Sequence, residues 1–148
     1  MEQFIQPVQV RWSDLDPNFH LRHSVYYDWG AMCRLDFMNK FGLTSEVLIR
    51  LQFGLILLRE ECVFRREIQM GDNVTINLVL LKSKRDYSRW TIQHKIMKNG
   101  DTVSALITVD GAGLNTAKRK LTAPSQEAIH VFEQMPHAEN FQWIDKAQ

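Results

Sequence analysis

From Leu55 onward the apolar residues recur at every second position, and that period limits the fold more than any other feature of the chain. Val74, Ile76, Leu78 and Leu80 share one face, and Trp90, Ile92, His94 and Ile96 share the next, opposite Arg89, Thr91, Gln93 and Lys95. Such alternation marks strands with one buried face. Leu55 to Gln69 reads as a long β segment before them, closed by a turn at Met70-Gly71-Asp72. Val103, Ala105, Ile107 and Val109 continue after Asn99-Gly100, a dipeptide suited to a two-residue hairpin. Tight turns predict that these strands are antiparallel neighbours, a four-stranded meander.

The first half has the other period. Between Ser24, a plausible N-cap, and Gly42, a plausible stop, the sequence predicts a helix over 25–41, roughly 25 Å long at about 1.5 Å per residue. Val25, Trp29, Met32, Cys33 and Phe37 form one stripe, and Ala31, Leu35 and Met38 lie on other faces. A helix apolar on several sides is expected to be covered on several sides. Phe4 to Trp12 reads as a first strand, with Pro7 pointing to an edge position. Short helices are expected over 45–51 and 126–135, and a polar tail with Phe141 and Trp143 as anchors. The fold class is therefore α+β: a coiled antiparallel sheet of about five strands wrapped around one long central helix. Alternating βαβ units are absent from the pattern, which argues against a doubly wound sheet.

At 148 residues, 45% hydrophobic and 24% charged, the chain is expected to form a single domain over 1–148. Eighteen basic against seventeen acidic residues leave +1, which argues against a nucleic-acid partner. A run long enough to cross a membrane is missing, as is a basic, apolar leader at the N-terminus. Cys33 and Cys62 have no metal-like spacing and are expected as free thiols, so a cytoplasmic protein is the expectation. No nucleophile elbow, phosphate loop or H-E-x-x-H motif occurs. His20 and His23 lack the companions of a metal site, so no metal and no cofactor is expected.

Chemistry is concentrated in Trp12 to Tyr27, where Asp14, Asp16, His20 and His23 fall between a strand and a helix start. A helix start offers free N–H groups that can polarise a carbonyl. A carboxylate beside it could act as a nucleophile or as a general base. Alternatively Asp16-Pro17-Asn18 is only turn chemistry and Asp14 a loop cap. His94, on the apolar strand face, reads as a core histidine. Glu60 shares a face with Leu58 and Cys62 and needs a partner, with Arg66 as one choice; Asp36 and Glu60 are secondary candidates.

Arg11-Trp12-Ser13-Asp14-Leu15-Asp16, His20 four residues on, and Val25-Tyr26-Tyr27 entering the helix resemble the opening motif of the hotdog-fold acyl-CoA thioesterases, in particular the 4-hydroxybenzoyl-CoA thioesterase-like group. Met70-Gly71-Asp72, Ser88 and Asn99-Gly100-Asp101 fit the same pattern, which runs over roughly 4–124. The resemblance implies hydrolysis of a coenzyme A thioester without metal, in a homodimer or homotetramer with active sites at subunit interfaces. It implies Asp16 as the catalytic carboxylate and the main-chain N–H of His23 as the carbonyl-polarising donor. His20 and Tyr26 are then candidate substrate contacts, and Lys82, Lys84, Arg85 and Arg89 candidate partners for the CoA phosphates, against a solvated hairpin tip. Phe19 stands where the family usually has glycine, and Arg22 and His23 where many members have asparagine. A phenylalanine resists positive φ, so a displaced loop is expected. These departures motivate the alternative of a non-catalytic acyl-ligand-binding protein; an acyl-carrier-protein thioesterase is a third reading.

Overall fold

A computed structural model describes residues 2–145. The period-two segments form strands β2 (Phe53–Phe64), β3 (Val74–Asn77), β4 (Val79–Lys84), β5 (Arg89–Lys98) and β6 (Thr102–Asn115), with β1 (Ile5–Val8) before them. One curled, largely antiparallel sheet results. β1 and β4 flank β5 through β3 and directly, β5 pairs β6, and β6 pairs β2. β3 and β4 follow one another along the same side of β5, and Val74, Ile76, Leu78 and Leu80 are all buried, as their alternation requires. Pro7 sits in β1, which pairs only with β3, where a missing donor costs no ladder bond on the open side.

The helical segment forms α1 (His23–Lys40), ending before Gly42, whose φ of +99° is the left-handed conformation that stops a helix. Val25, Tyr26, Cys33, Phe37 and Met38 are buried in one core with Ile76, Ile92, Ile96 and Ile107 of the sheet. α2 (Ser45–Leu51) is capped by Thr44, whose Oγ1 accepts from the Val47 N–H at 3.4 Å. α3 (Gln126–Phe132) buries Ala128, Val131 and Phe132. Phe132 stacks on Tyr87 and meets Trp90, whose ring lies where a Cβ on Gly111 would stand, 2.0 Å from Cη2. Gly111 is the residue directly across from Trp90, and only a glycine leaves room for the indole there.

Five expectations are corrected. β2 is not the neighbour of β3: it pairs with β6, because residues 65–73 are too long a link for a hairpin and carry the chain across the sheet. The polar tail is a strand, β8 (His137–Ile144), after a two-residue β7 (Lys120–Leu121), and it runs parallel to β4. Its Phe141 and Trp143 do anchor it, in an aromatic group with His137 and Tyr87. Trp12 is not in a strand but in a 3-10 turn (Trp12–Asp14), 84% exposed. Arg22 rather than Ser24 occupies the N-cap of α1, and no side chain closes that end. Met32 and Leu35 are exposed, so within this chain α1 is not covered on every side.

Candidate functional site

The loop between the 3-10 turn and α1 is built by two aspartates with different work. Asp14 is buried, and Arg11 holds it: Nη2 donates to Oδ1 at 2.9 Å, Nε to Oδ2 at 3.2 Å, and the Arg11 main-chain N–H to Oδ2 at 3.0 Å. The Arg11 side-chain bonds hold the Asp14 carboxyl below the usual carboxylate range, against the opposing effect of burial. The Arg22 N–H donates to the Asp14 carbonyl at 2.7 Å, fixing the helix entry. Asp14 is therefore a cap, as one reading of the sequence had it.

Asp16 closes the next turn. Its Oδ1 accepts from the N–H groups of Asn18 at 2.9 Å and His20 at 3.1 Å, while its own N–H donates to the His20 carbonyl at 2.8 Å. Both bonds fall on Oδ1; among the described residues none falls on Oδ2. Phe19 takes φ +64° and its N–H donates to the Asp16 carbonyl at 2.9 Å. Phe19 nevertheless takes the backbone conformation a glycine would prefer, in a turn held by the hydrogen bonds of Asp16, and it is largely exposed. His20 bridges Gln69, and the Leu21 N–H donates to the Ile68 carbonyl at 2.8 Å, which pins the loop to the chain leaving β2.

These contacts frame a cleft of about 320 Å³. Asp16, His23 and Tyr26 line it from the loop and α1, and Phe64, Arg65, Arg66 and Glu67 from the end of β2 and beyond. The first two N–H groups of α1, from His23 and Ser24, have no hydrogen-bond partner among the described residues. Ser24 cannot cap them, since its Oγ accepts from Arg22 Nε at 2.9 Å. Tyr26 is buried, which pushes its phenol up, and packs edge-on against Phe64 at 4.9 Å. A carboxylate with one oxygen outside the turn's hydrogen bonds, in a cleft lined also by the first residue of α1, has the chemistry to attack a carbonyl or activate water against one that a helix-start amide polarises.

The predicted residues divide into two places. Asp16, His23 and Tyr26 share the cleft, and His20 is tethered to Asp16 through its main chain. Lys82, Lys84 and Arg89 line a different cleft of about 160 Å³, beside Thr91 and Asp110. Gly111 of that cleft lies six positions along β6 from Ala105, the partner of Phe64. At about 3.3 Å per residue the two sites are about 20 Å apart within one chain. Arg85 is engaged elsewhere, with Asp145 at 2.7 Å and over the Trp143 ring at 5.2 Å. Ser88 caps its own turn through Asp86.

The secondary candidates are outside both clefts. Asp36 accepts from Gln6 Nε2 at 3.0 Å. Glu60 has Arg34 rather than Arg66 as its partner, at 3.7 Å. Arg34 also donates to His94 Nε2 at 3.1 Å, and His94 Nδ1 donates to the Asn77 carbonyl at 2.8 Å. Burial pushes His94 down to about 3, so it is a neutral, satisfied core histidine. Burial pushes the Cys33 thiol up to about 12 and that of Cys62 up to about 11, and both are free. No group of three or more potential metal ligands occurs among the described residues, and no helix is long and apolar enough to cross a membrane. Arg65, Arg66 and Glu67 escaped the sequence reading as site residues. Their one signal was a charged triplet where the β2 pattern stops, immediately after Val63 and Phe64.

The family model of the thioesterase-like superfamily matches residues 10–133. The chain belongs to that superfamily, as a hotdog-fold thioesterase relative; β8 lies beyond the matched residues. Among solved structures, a Staphylococcus aureus protein in complex with CoA is similar at TM-score 0.81 and 21% identity, covering 97% of this chain and 90% of that one. A 1,4-dihydroxy-2-naphthoyl-CoA thioesterase from Synechocystis gives 0.78 and 16%, covering 93% and 100%. A DHNA-CoA thioesterase from S. aureus gives 0.78 and 14%, covering 90% and 91%. At identities this low the likeness is one of fold. Among curated proteins, none matches the chain.

Proposed function

We propose that the protein hydrolyses a coenzyme A thioester to a free acid and CoA, as one hotdog domain whose coiled sheet is wrapped around α1. Asp16 attacks the thioester carbonyl or activates the water that does, and the His23 N–H polarises that carbonyl. The observation that carries the reading is that one cleft is lined by both Asp16 and His23, the first residue of α1, whose N–H has no partner among the described residues. Superfamily membership and the fold shared with CoA thioesterases support the substrate class. Tyr26 and Phe64 supply the apolar wall for the acyl group, and Arg65 and Arg66 the nearest cations for the CoA moiety.

The assembly is a homodimer or a dimer of dimers. β2 pairs on one side only, and it exposes Leu57, Leu58, Val63 and Phe64, while α1 exposes Met32 and Leu35. An apolar edge strand in this condition is suited to pairing with a second copy. Lys82, Lys84 and Arg89, about 20 Å from the Asp16 cleft within one chain, are cations for the CoA phosphates at the far end of the pantetheine arm. Two free, unreactive thiols fit a reducing, cytoplasmic setting. A second reading, acyl-ligand binding without turnover, is favoured by the two turn bonds on Asp16 Oδ1.

The test is thiol release from short, medium, long and aromatic acyl-CoAs by the wild type and Asp16→Asn. Turnover by the wild type, reduced at least ~100-fold in the variant, is expected. A wild type silent on the whole panel favours the binding reading, and equal rates remove Asp16 from the chemistry.

A further inference from the structure

The Asp16 cleft contains a second carboxylate that neither the opening motif nor the helix start accounts for. Glu67 lines the cleft with Asp16, and its Oε1 lies 3.6 Å from His20 Nε2. His20 is itself fixed, because its N–H donates to Asp16 Oδ1 at 3.1 Å and its carbonyl accepts from the Asp16 N–H at 2.8 Å. The Glu67 backbone is held as firmly. Lys98 Nζ donates to the Glu67 carbonyl at 2.6 Å, Ser104 Oγ donates to the preceding carbonyl of Arg66 at 2.5 Å, and Ile68 after it is fully buried. His20 therefore sits between the two carboxylates, hydrogen-bonded by its main chain to Asp16 and with its ring 3.6 Å from Glu67, within reach of an ion pair when the imidazole is protonated. Two carboxylates in one cleft, one accepting from backbone amides and the other largely exposed with a histidine ring 3.6 Å away, have different environments and can take different tasks.

Resting on the thioesterase reading, we propose that the two carboxylates divide the reaction: Asp16 is the nucleophile and Glu67 the general base for water, with His20 the residue that positions Glu67. In the first step an Asp16 oxygen bonds to the acyl carbon, and the C–S bond breaks with its electron pair going to sulfur. CoA thiolate leaves and an Asp16 acyl anhydride remains. In the second step a water oxygen bonds to the anhydride carbonyl as Glu67 takes one of its protons. The Asp16 C–O bond breaks, restoring the Asp16 carboxylate and releasing the free acid. The proton on Glu67 passes to the thiolate or to solvent, so one water and one thioester give one acid and one thiol. No metal or redox partner is required.

This division makes the two carboxylates distinguishable. Glu67→Gln is nearly isosteric at an exposed side chain and removes only the base. An acyl-CoA that the wild type turns over is mixed with each protein, reactions are quenched at intervals, and CoA is counted by chromatography. Glu67→Gln is expected to release about one CoA per site in a burst, then to turn over at least ~100-fold more slowly than wild type. Intact-protein mass should show the acyl adduct, mapped to the peptide holding Asp16. His20→Asn keeps the main-chain bonds to Asp16 and is expected to show the same burst with a smaller loss. Slower turnover of Glu67→Gln with no burst, or wild-type kinetics in either variant, overturns the proposal while leaving an Asp16-dependent thioesterase intact. A wild type without turnover overturns both.

Discussion

Phe19 carries a cost that the structure allows to be estimated. A non-glycine residue at φ +64° gives up about 1–2 kcal/mol to contact between its Cβ and the backbone. Phe19 recovers little of this by burial, since it is 76% exposed. Phe19→Gly removes the contact but loosens the unfolded chain, which costs about 0.5–1 kcal/mol. The balance favours glycine by about 0.5–1 kcal/mol, a rise in Tm of about 1–4 °C for a chain of this size. Phe19→Asn should fall between the two, because asparagine tolerates the left-handed region, and Phe19→Val should lie below wild type by about 1 kcal/mol. Thermal denaturation of the four proteins by circular dichroism measures the series. A Tm for Phe19→Gly more than about 2 °C below wild type would show that the ring, rather than the hydrogen bonds of Asp16, holds the loop. Equal Tm values for the glycine and valine variants would show that the left-handed turn is not populated in solution.

Two further outcomes follow from packing and charge. Gly111→Ala puts a Cβ 2.0 Å from Trp90 Cη2 and 2.4 Å from Cζ2 and Cζ3, in a core where Phe132 stands behind the indole. Overpacking of that kind should cost about 3 kcal/mol, read as a Tm lower by about 6–12 °C. Asp14→Asn should destabilise the protein at neutral pH, because the carboxylate that accepts from Arg11 is lost. The folded carboxyl of Asp14 titrates below its unfolded value, so its contribution is complete above about pH 4 and disappears as pH falls through the folded value. The Tm gap between wild type and Asp14→Asn should accordingly be full at pH 7 and close as the solution is acidified below about pH 4.

The sheet was legible because burial on one face imposes a period of two, and Val74 to Leu80 and Trp90 to Ile96 obey it. α2 falls where a short helix was expected, over 45–51, and the structure shows Thr44 capping it and Gln52 ending it in the left-handed region. Strand partners were less so: alternation says which face is buried and nothing about which strand lies alongside, so β2 was misplaced beside β3. β8 was missed because a polar strand added at the edge of β4 needs only partial burial, and its alternation is weak. That Asp16 and His23 lie beside one another was legible through a motif and a helix start next to each other in the chain. Glu67 was not, since a loop and the chain leaving β2 are brought together by the Leu21–Ile68 bond, a contact of long sequence separation. The basic cluster was legible as charge, but its distance from Asp16 depends on a strand register that composition does not carry.

The central claim is a carbonyl held by the first amides of α1 with Asp16 facing its carbon. A crystal structure with a CoA ketone analogue, in which a methylene separates the carbonyl from sulfur, measures this directly. The carbonyl oxygen should lie about 2.7–3.2 Å from the His23 nitrogen, with the Asp16 carboxylate against the carbonyl carbon. A carbonyl seated in the Lys82–Arg89 cleft, or one turned away from the start of α1 with Asp16 still closing its turn, would contradict the account.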